Sequence, residues 1–247
     1  MSFHGLRPSA RQQLVQRDYR VRSLAERLAS TGVEAGELLG ADRSQLNWIP
    51  GVEIFARKVY PQRHRGFFAE VARSEEPILK EIGFWPKQWA SARMFAGTAK
   101  GFHIHPPHVP EGQSPGQWFQ RLFVGKPANY GLRCYDREQW DLMFFLQGGG
   151  EMILVDEREG MERRIMRFLI EGDDHRGPNN AGVVIPPGVA HAIRAEGSAD
   201  VIMLYGTSTV FDPANEGRLA SGVESAPLPA EWQEYLSPKD AQAEELV

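Results

Sequence analysis

Three histidines and one carboxylate between positions 103 and 191 are spaced so that a small β-barrel could gather them. Gly97-Thr-Ala-Lys-Gly-Phe-His103-Ile-His105 reads G-x5-H-x-H. Asp141 stands six residues before Gly148, and Pro186-Pro-Gly-Val-Ala-His191 reads P-x-G-x2-H. In a strand, residues two apart face the same side, so the pattern predicts that His103 and His105 point together into one cavity. Imidazole nitrogens with one carboxylate are ligands for zinc, iron, nickel, copper or manganese, and the residue types do not choose among these.

The rest of the chain reads as a frame for that cavity. Short apolar runs at Val52–Phe55, Gly66–Val71, Leu142–Leu146, Met152–Val155, Ile165–Ile170, Val183–Ile185 and Val201–Tyr205 are separated by Gly, Pro, Asn and Asp, and no strand–helix alternation repeats. That texture predicts an all-β sandwich or barrel over 49–214. Residues 1–48 read as a helical extension, with Leu14, Val21, Leu24, Ala25 and Leu28 at spacings of three, four and seven and a stop at Thr31-Gly32. Ser23 and Glu26 have the letters of a capping box, but they fall inside that periodic run and carry little weight as a helix start. Residues 106–140 are rich in Pro, Gly and Gln and read as an insertion near the pocket mouth. Residues 215–247 are expected to pack back on the barrel.

The composition excludes several classes. With 247 residues, 42% of them hydrophobic, the chain can bury a full core, and no apolar run approaches the roughly 20 residues that span a bilayer. A net charge of -4 gives no basic footprint for nucleic acid. The opening Met-Ser-Phe-His-Gly lacks a charged-then-apolar signal, so a cytoplasmic protein is expected. The single cysteine, Cys134, excludes an intrachain disulfide.

The histidine and acid spacing resembles the metal-binding pattern of cupins, which implies a jelly-roll β-barrel. Five blocks in order are similar, more specifically, to dTDP-4-dehydrorhamnose 3,5-epimerase, a dimeric cupin acting on nucleotide-linked 4-keto sugars. They are Ile49-Pro-Gly-Val with Arg65-Gly-Phe-Phe68-Ala-Glu70; Lys100-Gly-Phe-His103; Ile185-Pro-Pro-Gly-Val-Ala-His191; Tyr205 through Glu216; and Leu236-Ser-Pro-Lys-Asp240. The resemblance implies that His103, paired with Asp240, removes a proton next to a sugar ketone, and that Tyr205 returns one to the other face. It implies nucleotide contacts from Arg65, Phe68, Glu70 and Gln88, a substrate contact from Lys100, and a homodimer.

The departures from that family point elsewhere. Asp141 stands where the family has a lysine that steadies an enolate, His105 where it has glutamine, Lys100 where it has arginine, and Val210 where it has an aromatic residue. The changes at 105 and 141 complete a ligand set of His103, His105, Asp141 and His191 for a divalent transition metal. Two functions follow from the sequence: a sugar epimerase in which a cation takes the lysine's place, or a metal cupin doing oxidative chemistry or binding sugar without turnover. His103 cannot bind metal, pair with Asp240 and act as base together. Trp118 and Trp140, within the insertion, could stack on a sugar or base or pack in the core.

Overall fold

The computed structural model describes residues 23–30, 32–105, 138–158, 161–175 and 177–211. Asp240, most of the insertion, the segment 215–247 and the start of the N-terminal extension lie outside them.

Two five-stranded sheets face each other. One has the order β1 (Val33–Glu34), β9 (Ile165–Glu171), β8 (Gly149–Asp156), β11 (Val189–Ala195), β6 (Ala99–His103). The other has the order β2 (Glu53–Ala56), β10 (Ala181–Ile185), β7 (Asp141–Gln147), β12 (Val201–Thr207), β5 (Gln88–Met94). Strands β5 to β8 alternate between the sheets, β8 and β9 pair as a hairpin within one sheet, and β10 to β12 alternate again, so that β5 lies beside β12 and β6 beside β11, the arrangement of a jelly roll. The strands β3 (Lys58–Pro61) and β4 (Phe67–Glu70) form a separate hairpin.

Alternation along each strand builds the core. Met143 and Phe145 of β7, Met152 and Leu154 of β8, Met166, Phe168 and Ile170 of β9, and Val189 and Ile193 of β11 meet between the sheets. The opposite face of the second sheet carries Leu142, Phe144 and Val184, covered by Leu79 and Phe84. Leu79 lies on a short helix, Pro77–Glu81, with proline at its start where a missing N–H costs nothing. Complete burial of a side chain such as Phe144 or Phe168 contributes about 1.5–3 kcal/mol each.

The described part of the N-terminal extension belongs to this core. Helix α1 (Leu24–Ser30) buries Leu28, and β1 adds a parallel edge strand to β9, with Val33 opposite Phe168. The Ser23 and Glu26 pair does start this helix. Glu26 Oε2 accepts from Ser23 N at 2.8 Å, and Ser23 Oγ accepts from Glu26 N at 3.3 Å, so both halves of the capping box are made. Its place inside the periodic run did not keep the pair from capping α1. The stop was legible, since α1 ends one residue before Thr31 and Gly32 takes φ +75°.

Two glycines set the geometry near the site. Gly148 is the single residue between β7 and β8, at φ +74°, and a Cβ there would stand 2.5 Å from Asp200 O. Gly101 is the bulge of β6: Lys100 lies opposite Ile193, while His103 lies opposite His191, three residues matched to two. The bulge places His103 in register with the inward-facing His191, as Lys100 is with the inward-facing Ile193. At Gly101, φ is +135° and a Cβ would sit 2.6 Å from Ala192 Cβ and 2.9 Å from His191 O. Gly101→Ala is expected to cost about 1–3 kcal/mol, read as a lower urea midpoint with an unchanged m-value.

Candidate active site

Asp141 opens β7, with Ile185 of β10 on one side and Thr207 of β12 on the other. It shares a parity with Met143 and Phe145 and therefore faces the interior. His191 lies on β11 in the opposite sheet, between Leu154 and His103. His105 follows the end of β6, and its carbonyl accepts from Gly188 N in the Pro-Pro-Gly turn before β11. The two sheets thus meet at one end of the jelly roll with a carboxylate from one wall and imidazoles from the other.

The distances are those of a closed cluster. Asp141 Oδ2 lies 2.9 Å from His105 Nε2 and 3.4 Å from His191 Nε2. Donor atoms of His105, Asp141 and His191 all fall within 4.8 Å of one another, and all three residues are buried. His103 is not in that group. Half-buried at the end of β6, it stacks its ring on His191 with centroids 5.7 Å apart and planes 16° apart. The expectation that His103 and His105 project from one strand is therefore corrected: β6 ends at His103, and His105 reaches Asp141 from the irregular segment beyond it.

The charges follow from burial. Burial alone would raise the Asp141 carboxyl, but His105, His191 and the amide of Gln139 outweigh it and hold the pKa down to about 2. Burial pushes His191 down to about 4, against the opposing pull of Asp141. At neutral pH His191 is uncharged, so its approach to Asp141 is not an ion pair. Its Nδ1 lies 3.2 Å from Val189 O, an acceptor only, which assigns the ring proton to Nδ1 and leaves a bare Nε2 facing the carboxylate. A lone pair turned toward an anionic oxygen is unfavourable without a cation between them. The donor set therefore fits a divalent transition metal.

Two residues here, Gln139 and Thr209, went unnoticed in the sequence. Gln139 is buried beside the cluster, with Nε2 2.9 Å from Asp141 Oδ1 and 3.2 Å from His105 Nε2, and its Oε1 accepts from Thr209 Oγ1 at 2.5 Å. Gln139 shares the parity of Asp141, which is the signal that could have found it.

The other proposed site residues are spread out. Tyr205 lies opposite Met143 on β12, two residues before Thr207, packed against the inner core. Lys100 is on β6, three residues before His103. Arg65 ends the turn between β3 and β4 and is exposed; Phe68 is 53% exposed and lies 6.1 Å from Tyr60 in a stacked pair. Glu70 is bonded to Arg73 Nε at 2.6 Å. Gln88 opens β5, where its Oε1 accepts from Phe211 N at 2.6 Å. Trp140 packs 6.3 Å from Phe84 against the outer core cluster, which favours core packing over stacking on a sugar.

The strand order is that of a jelly roll, a fold shared with a solved dTDP sugar isomerase. No protein-family model matches the chain. The spore coat polysaccharide biosynthesis protein SpsL of Bacillus subtilis (strain 168) is 27% identical over 150 residues, covering 60% of this chain and 74% of that protein. A dTDP sugar isomerase from Desulfovibrio desulfuricans shares the fold with a TM-score of 0.51 at 14% identity, over 73% of this chain and 91% of that one. A dTDP-4-dehydrorhamnose 3,5-epimerase from Elizabethkingia anophelis aligns with a TM-score of 0.46 at 16% identity, over 69% and 75% of the two chains. Among the described residues, no helix is long and apolar enough to cross a membrane.

Proposed function

We propose that this protein is a sugar epimerase or isomerase that acts on a nucleotide-linked 4-keto-6-deoxy sugar by removing a proton next to the ketone. The observation that carries the reading is the placement of His103, half-buried and stacked on His191, beside the buried His105, Asp141 and His191 group. The resemblance of the sequence blocks, the fold shared with a dTDP sugar isomerase and the identity to a polysaccharide biosynthesis protein support it.

The division of labour follows from position. His105, Asp141 and His191 would hold a divalent transition metal, and His103, outside that group, is left to act as the base. A neutral imidazole suits abstraction of a proton α to a carbonyl. Asp141 stands where the related family has a cationic lysine, and a bound ion would restore positive charge beside the sugar ketone as a Lewis acid. Tyr205, on the opposite sheet from His103, returns a proton to the other face and inverts the centre. Arg65, Phe68, Glu70 and Gln88 would meet the nucleotide, with the guanidinium matched to a diphosphate. The exposed β3–β4 hairpin would carry the first three into the pocket of a second subunit, a homodimer that light scattering would register as about twice the chain mass.

Deuterium oxide tests the reaction. The protein is expected to wash deuterium into the carbons flanking the ketone of a dTDP-4-keto-6-deoxy sugar. Metal bound without any exchange would support instead a metal cupin with oxidative chemistry or sugar binding without turnover. Tyr205→Phe separates the faces: exchange is expected to persist while inverted product falls by at least about 100-fold. Equal loss of both would remove the tyrosine from its role.

A further inference from the structure

The exposure of the inward-facing residues rises in one direction across each sheet. In the second sheet Ile185, Asp141, Thr207 and Gln88 lie side by side, and they climb from 1%, 2% and 9% exposed to half-buried at Gln88 on β5. The next row, Val183, Met143, Tyr205 and Ala90, climbs the same way, and so does the row behind it, Phe145, Met203 and Ala92. In the facing sheet the rows Met166, Leu154, His191, His103 and Phe168, Met152, Ile193, Lys100 run from buried on β9 to half-buried on β6. Side chains that point between two sheets meet solvent through the gap between them. Among the described residues β5 and β6 each end a sheet, and a turn of four residues joins them across that gap. The interior therefore opens as a wedge between β5 and β6.

The residues at this opening leave room. Strand β5 turns Trp89, Ser91 and Arg93 outward and Gln88, Ala90 and Ala92 inward. Alanine is disfavoured in strands, and leucine or isoleucine at either inward position would bury more apolar area against the core. Ala90 and Ala92 stand about 7 Å apart along the strand, on the order of the width of a pyranose ring. Ala90 lies beside Tyr205, and Tyr205 beside Met143. On the other lip β6 brings His103 and Lys100, a base and a cation suited to a phosphate group.

We infer that the sugar enters between β5 and β6 and lies against Ala90 and Ala92, whose short side chains set how large a ring the cleft admits. The identity of the sugar rests on the proposed reaction; the entrance is a property of the fold.

The test uses the full chain. Ala90→Leu and Ala92→Leu fill the cleft, so kcat/KM for deuterium exchange into a dTDP-4-keto-6-deoxy sugar is expected to fall about 10–200-fold, the worth of a few methylenes in a pocket, with bound metal unchanged. Ser91→Leu, on the outward face of the same strand, is expected to change neither. Exchange at the wild-type rate in both alanine variants overturns the inference. Ala90→Cys in a chain carrying Cys134→Ser keeps the test open if the leucine variants do not fold. Its thiol is expected to react with dithiobis(nitrobenzoate) in the folded protein, and the nucleotide sugar is expected to protect it. A thiol that stays unreactive, or that reacts equally fast while the wild type is turning over the same sugar, overturns the inference as well. A wild type without exchange sinks the reaction instead, while the reactivity of Ala90→Cys still decides whether the interior opens between β5 and β6.

Discussion

Asp173→Ala is expected to lower the stability of the fold by roughly 3–5 kcal/mol, because it strands a buried guanidinium. The side chains of Arg57 and Asp173 are 1% and 3% exposed, joined by two bonds, Nη2 to Oδ2 at 2.8 Å and Nε to Oδ1 at 3.1 Å. Arg57 Nη1 also donates to the carbonyls of Glu70 and Val71, and the guanidinium lies 4.8 Å over the ring of Phe144. Asn180 Nδ2 adds a bond to Asp173 Oδ1 at 3.1 Å. The network ties the base of the β3–β4 hairpin to the second sheet. A domain of this size loses about 2–4 °C of melting temperature per kcal/mol, so calorimetry should register a fall on the order of 10 °C. Arg57→Met combined with Asp173→Leu removes both charges and is expected to be less damaging than the single change. If Asp173→Ala melts within about 2 °C of the wild type, the pair is not a structural clamp.

Such a clamp could not be read from the sequence, where its two residues stand 116 positions apart with no periodicity between them. What could be read was local. Seven apolar runs mark seven observed strands to within three residues, because the strands carry the apolar side chains between turns rich in Gly, Pro, Asn and Asp. Strand β5, Gln-Trp-Ala-Ser-Ala-Arg-Met, escaped notice because alanine and serine blunt its alternation. Asp141 and His191 were legible because a glycine-tagged acid and a Pro-Gly-tagged histidine carry their turns with them. His105 lies against His191 as His103 does, but from two residues beyond the end of β6. Gln139 carried no metal-ligand signature, since an amide acts here only through its neighbours.

The proposed separation of base from metal ligands makes the sharpest forecast for the site. Asp141→Asn keeps shape and removes the anionic oxygen that both His105 and His191 approach, so bound metal is expected to fall from about one equivalent per chain to below detection by elemental analysis. His103→Ala leaves that group intact. It is expected to retain metal while deuterium exchange into the sugar drops by about 100- to 10,000-fold, the usual worth of a general base. The contrast is diagnostic because a histidine inside the coordination sphere would lose ion and activity together. Should His103→Ala lose its metal in step with Asp141→Asn, the imidazole stacked on His191 is a fourth ligand, and the proton must leave the sugar by way of another group.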